Sequence, residues 1–181
     1  MGTLIRGDRR DKDAREADEA AAQGQQYLIF RAGGEQFAVG ISSIREIIEY
    51  REVTAVPMMP DYLRGIINLR GRVVPVIDLL ARFGRDSTEV SQRTCIVIME
   101  VESNDERQYI GIVVDAVNAV LEIADADIEP PPSFGAKLRK DFISGMGKIG
   151  EKFVILLDIA HVLSVEELAI LADVSEEDAA T

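Results

Sequence analysis

Apolar residues in this chain come in short runs broken by polar turns, and their spacing predicts strands far more often than helices. Tyr27 to Arg31 and Gln36 to Gly40 flank Gly33-Gly34, a pair with free access to positive φ, so the three together predict a hairpin. Thr94 to Val101 and Tyr109 to Val114 flank the polar stretch Glu102 to Arg107 in the same way. Val53 to Val56 predicts a further strand, after which Pro57 and Pro60 mark an extended connection.

The centre of the pattern is Asp61 to Phe83, DYLRGIINLRGRVVPVIDLLARF. Ile66, Ile67 and Leu69 run up to Arg70-Gly71-Arg72, and Val73, Val74, Val76 and Ile77 run away from it. Both arms are short and β-branched, and Gly71 can adopt the φ such a turn requires, so the two arginines are expected at a hairpin tip. Pro75 has no N–H for a ladder and predicts an edge strand or a bulge.

Helical spacing is confined to short pieces. Ser42 or Ser43 is positioned to cap a helix whose Ile44, Ile47 and Ile48 share one face, leaving Arg45, Glu46 and Glu49 on the other. Asp115 would cap a matching helix holding Val117, Val120 and Leu121. Leu79 to Phe83 and about Ala136 to Asp141 predict two more, and Ser164-Val165-Glu166-Glu167 is a capping box opening a C-terminal helix through Leu171. Pro130-Pro131-Pro132 is a surface connection.

The chain writes its central stretch twice. Ile143 to Leu163 aligns without a gap under Leu63 to Phe83, at an offset of 80 that carries Gly65 to Gly145, Arg72 to Lys152 and Asp78 to Asp158. Upstream, FAVGISSIREIIEY and IGIVVDAVNAVLEI repeat at an offset of 73, which carries Ser42 to Asp115. Two copies are too few for a solenoid, so they predict one domain of two related halves sharing a core. Its expected extent is 27 to 171, with a first half at roughly 37 to 83, a second at roughly 94 to 157, and the chain crossing between them. Residues 1 to 26, with interleaved charges and an alanine-rich patch, predict a disordered tail, and 172 to 181 a solvated acidic end.

Composition narrows the function. A net charge of −12 over 181 residues argues against a phosphate-backbone partner, because nucleic-acid affinity comes mostly from Lys and Arg. Cys95 is the sole cysteine, so no intrachain disulfide can form. No apolar run approaches the roughly 20 residues of a spanning helix, and the charged N-terminus lacks a signal-peptide core. These features predict an acidic, cytoplasmic protein.

Candidate chemistry is sparse. His161 is the only histidine, which excludes a multi-histidine zinc site, and its place in an apolar run predicts a core-edge residue rather than a base. Gly145-Met146-Gly147-Lys148-Ile149-Gly150 fits the dinucleotide pattern G-x-G-x-x-G, but that pattern needs a helix N-terminus after it, and the residues that follow predict a strand. Asp78 and Asp158 each lie between a strand and a short helix, where aspartate is a favoured N-cap. Arg64, Arg70 and Arg72 are either solvated surface or, with Glu46, part of a docking surface of mixed charge.

SSIREIIEY, YLRGIINLRGRVVPVIDL, GIVVDAV and FVILLDIAHVL together carry a family resemblance. From about Gln25 to Leu171 the chain resembles CheW, the coupling-protein family of bacterial chemotaxis. The resemblance implies a mainly β fold, two SH3-like five-stranded barrels packed on each other, with short helices. It implies no catalytic activity and no cofactor. The implied partners are the regulatory domain of a CheA-type histidine kinase and the cytoplasmic tip of methyl-accepting chemotaxis receptors, so that the protein is recruited to membrane arrays through them without inserting. By position, the resemblance marks Ile44, Glu46, Gly65, Arg70 and Gly71 as sensitive for coupling, and Val117 and Val120 as part of a receptor groove between the barrels. Gly65 and Gly71 have a turn-geometry explanation and the three apolar residues a core explanation, so Glu46 and Arg70 are the strongest candidates. With no kinase or receiver segment in the sequence, a free-standing adaptor is expected, serving chemotaxis or another chemosensory kinase pathway; the alternative of a small-ligand-binding protein needs a convergent polar pocket, against which the lone histidine and the turn glycines argue.

Overall fold

The computed structural model describes residues 24–103, 106–131 and 142–162, with Glu167 and Ile170. The expectations for residues 1–23, for a helix at 136 to 141, for the capping box at Ser164 and for the acidic end fall outside these residues. The structure is mainly β. In chain order it runs β1 (Gly24–Ala32), β2 (Glu35–Gly40), a 3-10 turn (Ile41–Ser43), β3 (Ile44–Glu49), β4 (Leu63–Leu69), β5 (Arg72–Asp78) and α1 (Leu79–Arg82). It continues through β6 (Cys95–Ser103), β7 (Glu106–Val114), β8 (Ala116–Ala124), a 3-10 turn (Asp125–Asp127), β9 (Ile128–Glu129), β10 (Ile143–Ile149), β11 (Lys152–Leu157) and α2 (Ile159–Val162).

Two sheets form the two SH3-like barrels. One has the order β3-β6-β7-β5-β4, the other β8-β1-β2-β11-β10-β9. In the first, the chain beyond β3 reaches across to β4 through the Thr54–Ile66 bridge. In the second, the strand breaks at Asp125–Asp127 and pairs again as β9 against Met146 and Gly147, which makes the count six rather than five. Val53 to Val56 therefore contributes one bridge instead of a strand. The first strand, conversely, starts at Gly24 and pairs through Gln26 with β8, so the expected tail ends earlier than residue 26.

Sheet membership does not follow the halves of the sequence. β6 and β7 complete the barrel of β3 to β5, and β1 and β2 complete the barrel of β8 to β11. The joins are parallel: Val76 pairs with Gly111, and Leu156 with Ala38. These are the same pair under the repeat itself, since the offset of 80 carries Val76 to Leu156 and the offset of 73 carries Ala38 to Gly111. The expected limits of 37 to 83 and 94 to 157 thus become two barrels that have exchanged hairpins. A hairpin with both faces apolar requires two partners, and the exchange supplies them.

Alternation shows how. In β1, Leu28, Phe30 and Ala32 enter the core between the barrels while Ile29 fills a barrel interior. In β6, Val97, Met99 and Val101 enter the shared core and Ile96 and Ile98 the other interior. Phe37 anchors the shared core, stacked on Phe30 at 5.8 Å and tilted against Phe83 at 5.7 Å between ring centroids. Burial of such side chains stabilises the fold by roughly 1.5–3 kcal/mol each.

Three local expectations need correction. Ile44–Glu49 and Ala116–Ala124 are strands, not helices, because ladder pairing with β6 and with β1 outweighs a weak helical period. Only Ile41–Ser43 keeps a 3-10 turn, and its cap has no side-chain hydrogen bond. Pro75 sits in an interior strand and not at an edge, but beside a bulge as the alternative expected, the β4–β5 register shifting between Leu63 and Gly65. It pairs with Ile66 on one side, and the parallel ladder to β7 begins only at Val76, so the missing N–H falls before the ladder starts.

Gly65 closes the first barrel. Its φ is 154°, and a Cβ there would lie 2.4 Å from the Thr54 carbonyl oxygen, across the bridge that joins the barrel's edges. Gly65→Ala is expected to cost at least about 2 kcal/mol through backbone strain and loss of that bridge. A thermal melt checks this, and a midpoint within two or so degrees of wild type would show that Thr54 can move aside.

Candidate functional site

The β4–β5 hairpin carries Arg70 and Gly71 at its tip, with φ of 52° and 82°, and the Asn68 side chain accepts from the Gly71 N–H at 2.8 Å. Arg70 extends into solvent, its side chain 79% exposed, yet Nη2 lies 2.9 Å from Oε1 of Glu46 on β3. The ladder explains the meeting. A bulge between Ile44 and Glu46 resets the register so that Glu46 lies opposite Ile98, on the barrel-interior side, at the mouth over which the hairpin tip folds. The two residues with the least structural excuse in the sequence are thus one ion pair.

Arg72 behaves differently. Its guanidinium lies 4.1 Å from the ring centroid of Tyr109 on β7. Arg64 is not at the tip at all. It donates to Asp78 Oδ2 at 2.8 Å, to the Thr88 carbonyl at 2.9 Å and to the Tyr50 hydroxyl at 3.1 Å. Asp78 caps α1 as the sequence predicts, through Leu80 and Ala81, but it is also buried and holds Thr88 by both N–H and hydroxyl. At its repeat partner Asp158 the carboxylate lies 2.6 Å from Nδ1 of His161. His161 is exposed at the surface, not at the core edge, because the apolar face of α2 is taken by Ile159 and Val162.

The remaining candidates separate. Ile44 and Val117 are half-buried against the shared core. They are repeat equivalents at the offset of 73, as are Ile47 and Val120, which stand exposed on β3 and β8. Ile47 was missed because a helical reading placed it on the inner face with Ile44; strand alternation turns it outward. Leu121, beside Val120, is also exposed. The Cys95 thiol, at the start of β6, donates to the Arg93 carbonyl at 3.3 Å, and burial, then the Glu49 carboxylate, push its pKa up.

Between the barrels lies an open groove of about 650 Å³, with Tyr27, Val39 and Leu157 among its apolar walls. Within it Arg45 and Arg107 converge on Glu100. The glycines of 145 to 150 form the β10–β11 hairpin, a strand-turn-strand unit with no helix N-terminus aimed at a phosphate. Among the described residues, no group of acidic, histidine or cysteine side chains is arranged to hold a metal ion, and no helix is long and apolar enough to cross a membrane.

Residues 26–167 match the family model for the CheW-like domain. The chain belongs to the CheW-like family. It is 36% identical over 153 residues to the chemotaxis protein CheW of Klebsiella aerogenes, covering 84% of this chain and 90% of that one. It is 37% identical to the probable chemotaxis protein CheW of Rhizobium etli, over 80% of this chain and 92% of the relative. Among solved structures it is similar to the scaffolding protein TtCheW of Thermoanaerobacter tengcongensis, with a TM-score of 0.70 and 31% identity over 78% of this chain and 88% of that one. Membership in this family of chemotaxis scaffold proteins agrees with the mainly β, double-barrel architecture.

Proposed function

We propose that this chain is a non-enzymatic adaptor that couples methyl-accepting chemotaxis receptors to a CheA-type histidine kinase. The observation that carries the reading is the Arg70–Glu46 pair, an exposed arginine held on a half-buried glutamate, at two positions where the family is sensitive for coupling. Ile44, Gly65, Gly71, Val117 and Val120 are assigned to the same coupling surfaces. Gly65 acts by shaping the barrel wall, Gly71 by shaping the tip, and Val120 together with Ile47 by presenting apolar surface. A protein with these properties works in the cytoplasm and reaches receptor arrays at the membrane through its partners.

Co-purification with a CheA-type kinase fragment and a receptor cytoplasmic fragment tests this. The expected result is a ternary complex in which the kinase is activated only when all three are present. Binding to neither fragment would overturn the reading, and binding to a kinase without any receptor response would move the protein to another kinase pathway.

A further inference from the structure

Each barrel is built from both halves of the sequence, so each half of the chain is the other's binding partner. β3 runs along β6 from Ile44 to Glu49, and β1 runs along β8 from Gly24 to Arg31. The two parallel joins and the shared core add to these pairings. Little of either barrel would close without strands from the other half.

The covalent link between the halves is thin. Thr88 belongs to the first half: its N–H and hydroxyl each lie 2.8 Å from Asp78, and its carbonyl accepts from Arg64. Ser91 belongs to the second: its N–H donates to Thr94 Oγ1 at 2.8 Å, and its carbonyl accepts from the Thr94 N–H at 3.3 Å. Between the two anchors lie Glu89 and Val90, both exposed. A two-residue surface segment between fixed points is where a chain can straighten without disturbing either anchor.

We propose that a second copy of this chain fits the same surface, residues 24–89 of one copy pairing with residues 90–162 of another and the reverse. The result is a dimer exchanged at Glu89–Val90. Every strand pair, the shared core and the Tyr50-to-Thr94 backbone bond are kept, with only their chain assignment changed. Because the contacts of the exchanged and closed forms are identical, the balance depends on hinge conformation and on protein concentration. Such a dimer carries two complete Arg70–Glu46 surfaces joined in one particle, which makes it bivalent.

The test uses the full chain with a protease site inserted between Glu89 and Val90, unfolded and then refolded over about a hundredfold range of concentration. Mass is read by size exclusion with light scattering. The expected result is a dimer whose share rises with refolding concentration, which persists on dilution, and which falls to monomer mass when the site is cleaved, each particle retaining one of each fragment. The unmodified chain, refolded together in two differently tagged forms, should give mixed dimers, whereas mixing the folded forms should not. Monomer alone at every refolding concentration, in the unmodified chain as well as in the one with the inserted site, would overturn the proposal. So would a dimer that keeps its mass after cleavage, since that dimer is joined by surface docking, or fragments of the cleaved monomer that part without denaturant.

Discussion

Asp78→Ala is expected to lower the unfolding free energy by about 3–5 kcal/mol, a large part of the 5–15 kcal/mol that holds a typical domain. The carboxylate is 2% exposed and accepts from five groups: Leu80 N, Ala81 N, Thr88 N, Thr88 Oγ1 and Arg64 Nη1. Its removal uncaps α1, frees the connector at Thr88, and leaves the Arg64 guanidinium, 20% exposed, without its counter-charge. Losing the counter-charge is the largest of these effects, because a charge taken from water and then left unpaired costs more than a lost cap, which is worth about 1 kcal/mol. Asp78→Asn should recover the capping part only. Asp158→Ala, at the equivalent place in the second copy, should cost about 1 kcal/mol or less, since that carboxylate is 35% exposed and bonded to an exposed histidine. Urea unfolding of the three variants measures the contrast. An Asp78→Asn variant as stable as wild type would mean that the cap, and not the buried pair, is what the position is for.

Arg70→Glu should abolish receptor-coupled kinase activation while shifting the melting midpoint by only a few degrees. An exposed ion pair contributes about 0–1 kcal/mol, and the left-handed backbone at Arg70 costs the same with either side chain. At a docking surface, however, the reversal places two carboxylates side by side at the hairpin tip and presents the wrong sign to a partner, which can cost several kcal/mol. The structure adds a discriminating variant. Arg70→Glu combined with Glu46→Arg restores the pair with its direction inverted. If the pair acts only by holding the hairpin on β3, the double variant should couple; if the partner reads the arginine, it should fail like the single one. Arg72→Glu removes the stack on Tyr109 and should impair coupling less. Normal coupling by Arg70→Glu in a reconstituted receptor, adaptor and kinase mixture would show that the tip is only solvated surface.

Some of this was written in the sequence. Hairpins at Gly33-Gly34 and Gly71, the α1 cap at Asp78, the internal repeat and the shared core are local or periodic features, and each appears where the residues place it. Arg70 at the hairpin tip was also legible, since Gly71 marks the turn beside it.

Other features depended on contacts distant in sequence. Whether Ile44–Glu49 and Ala116–Ala124 become helix or strand is decided by β6 and β1, which offer them a ladder that no local spacing reveals. Pairing Arg70 with Glu46 required a bulge to set the register and a barrel to close. Arg64, which looked like a surface arginine, is drawn inward because buried Asp78 needs a counter-charge and the Thr88 carbonyl accepts from the same guanidinium. The exchange of hairpins was beyond the sequence for a similar reason. The repeat offsets are satisfied equally by two barrels that keep their own hairpins and by two that trade them, and only packing both faces of β1, β2, β6 and β7 against apolar partners selects the second.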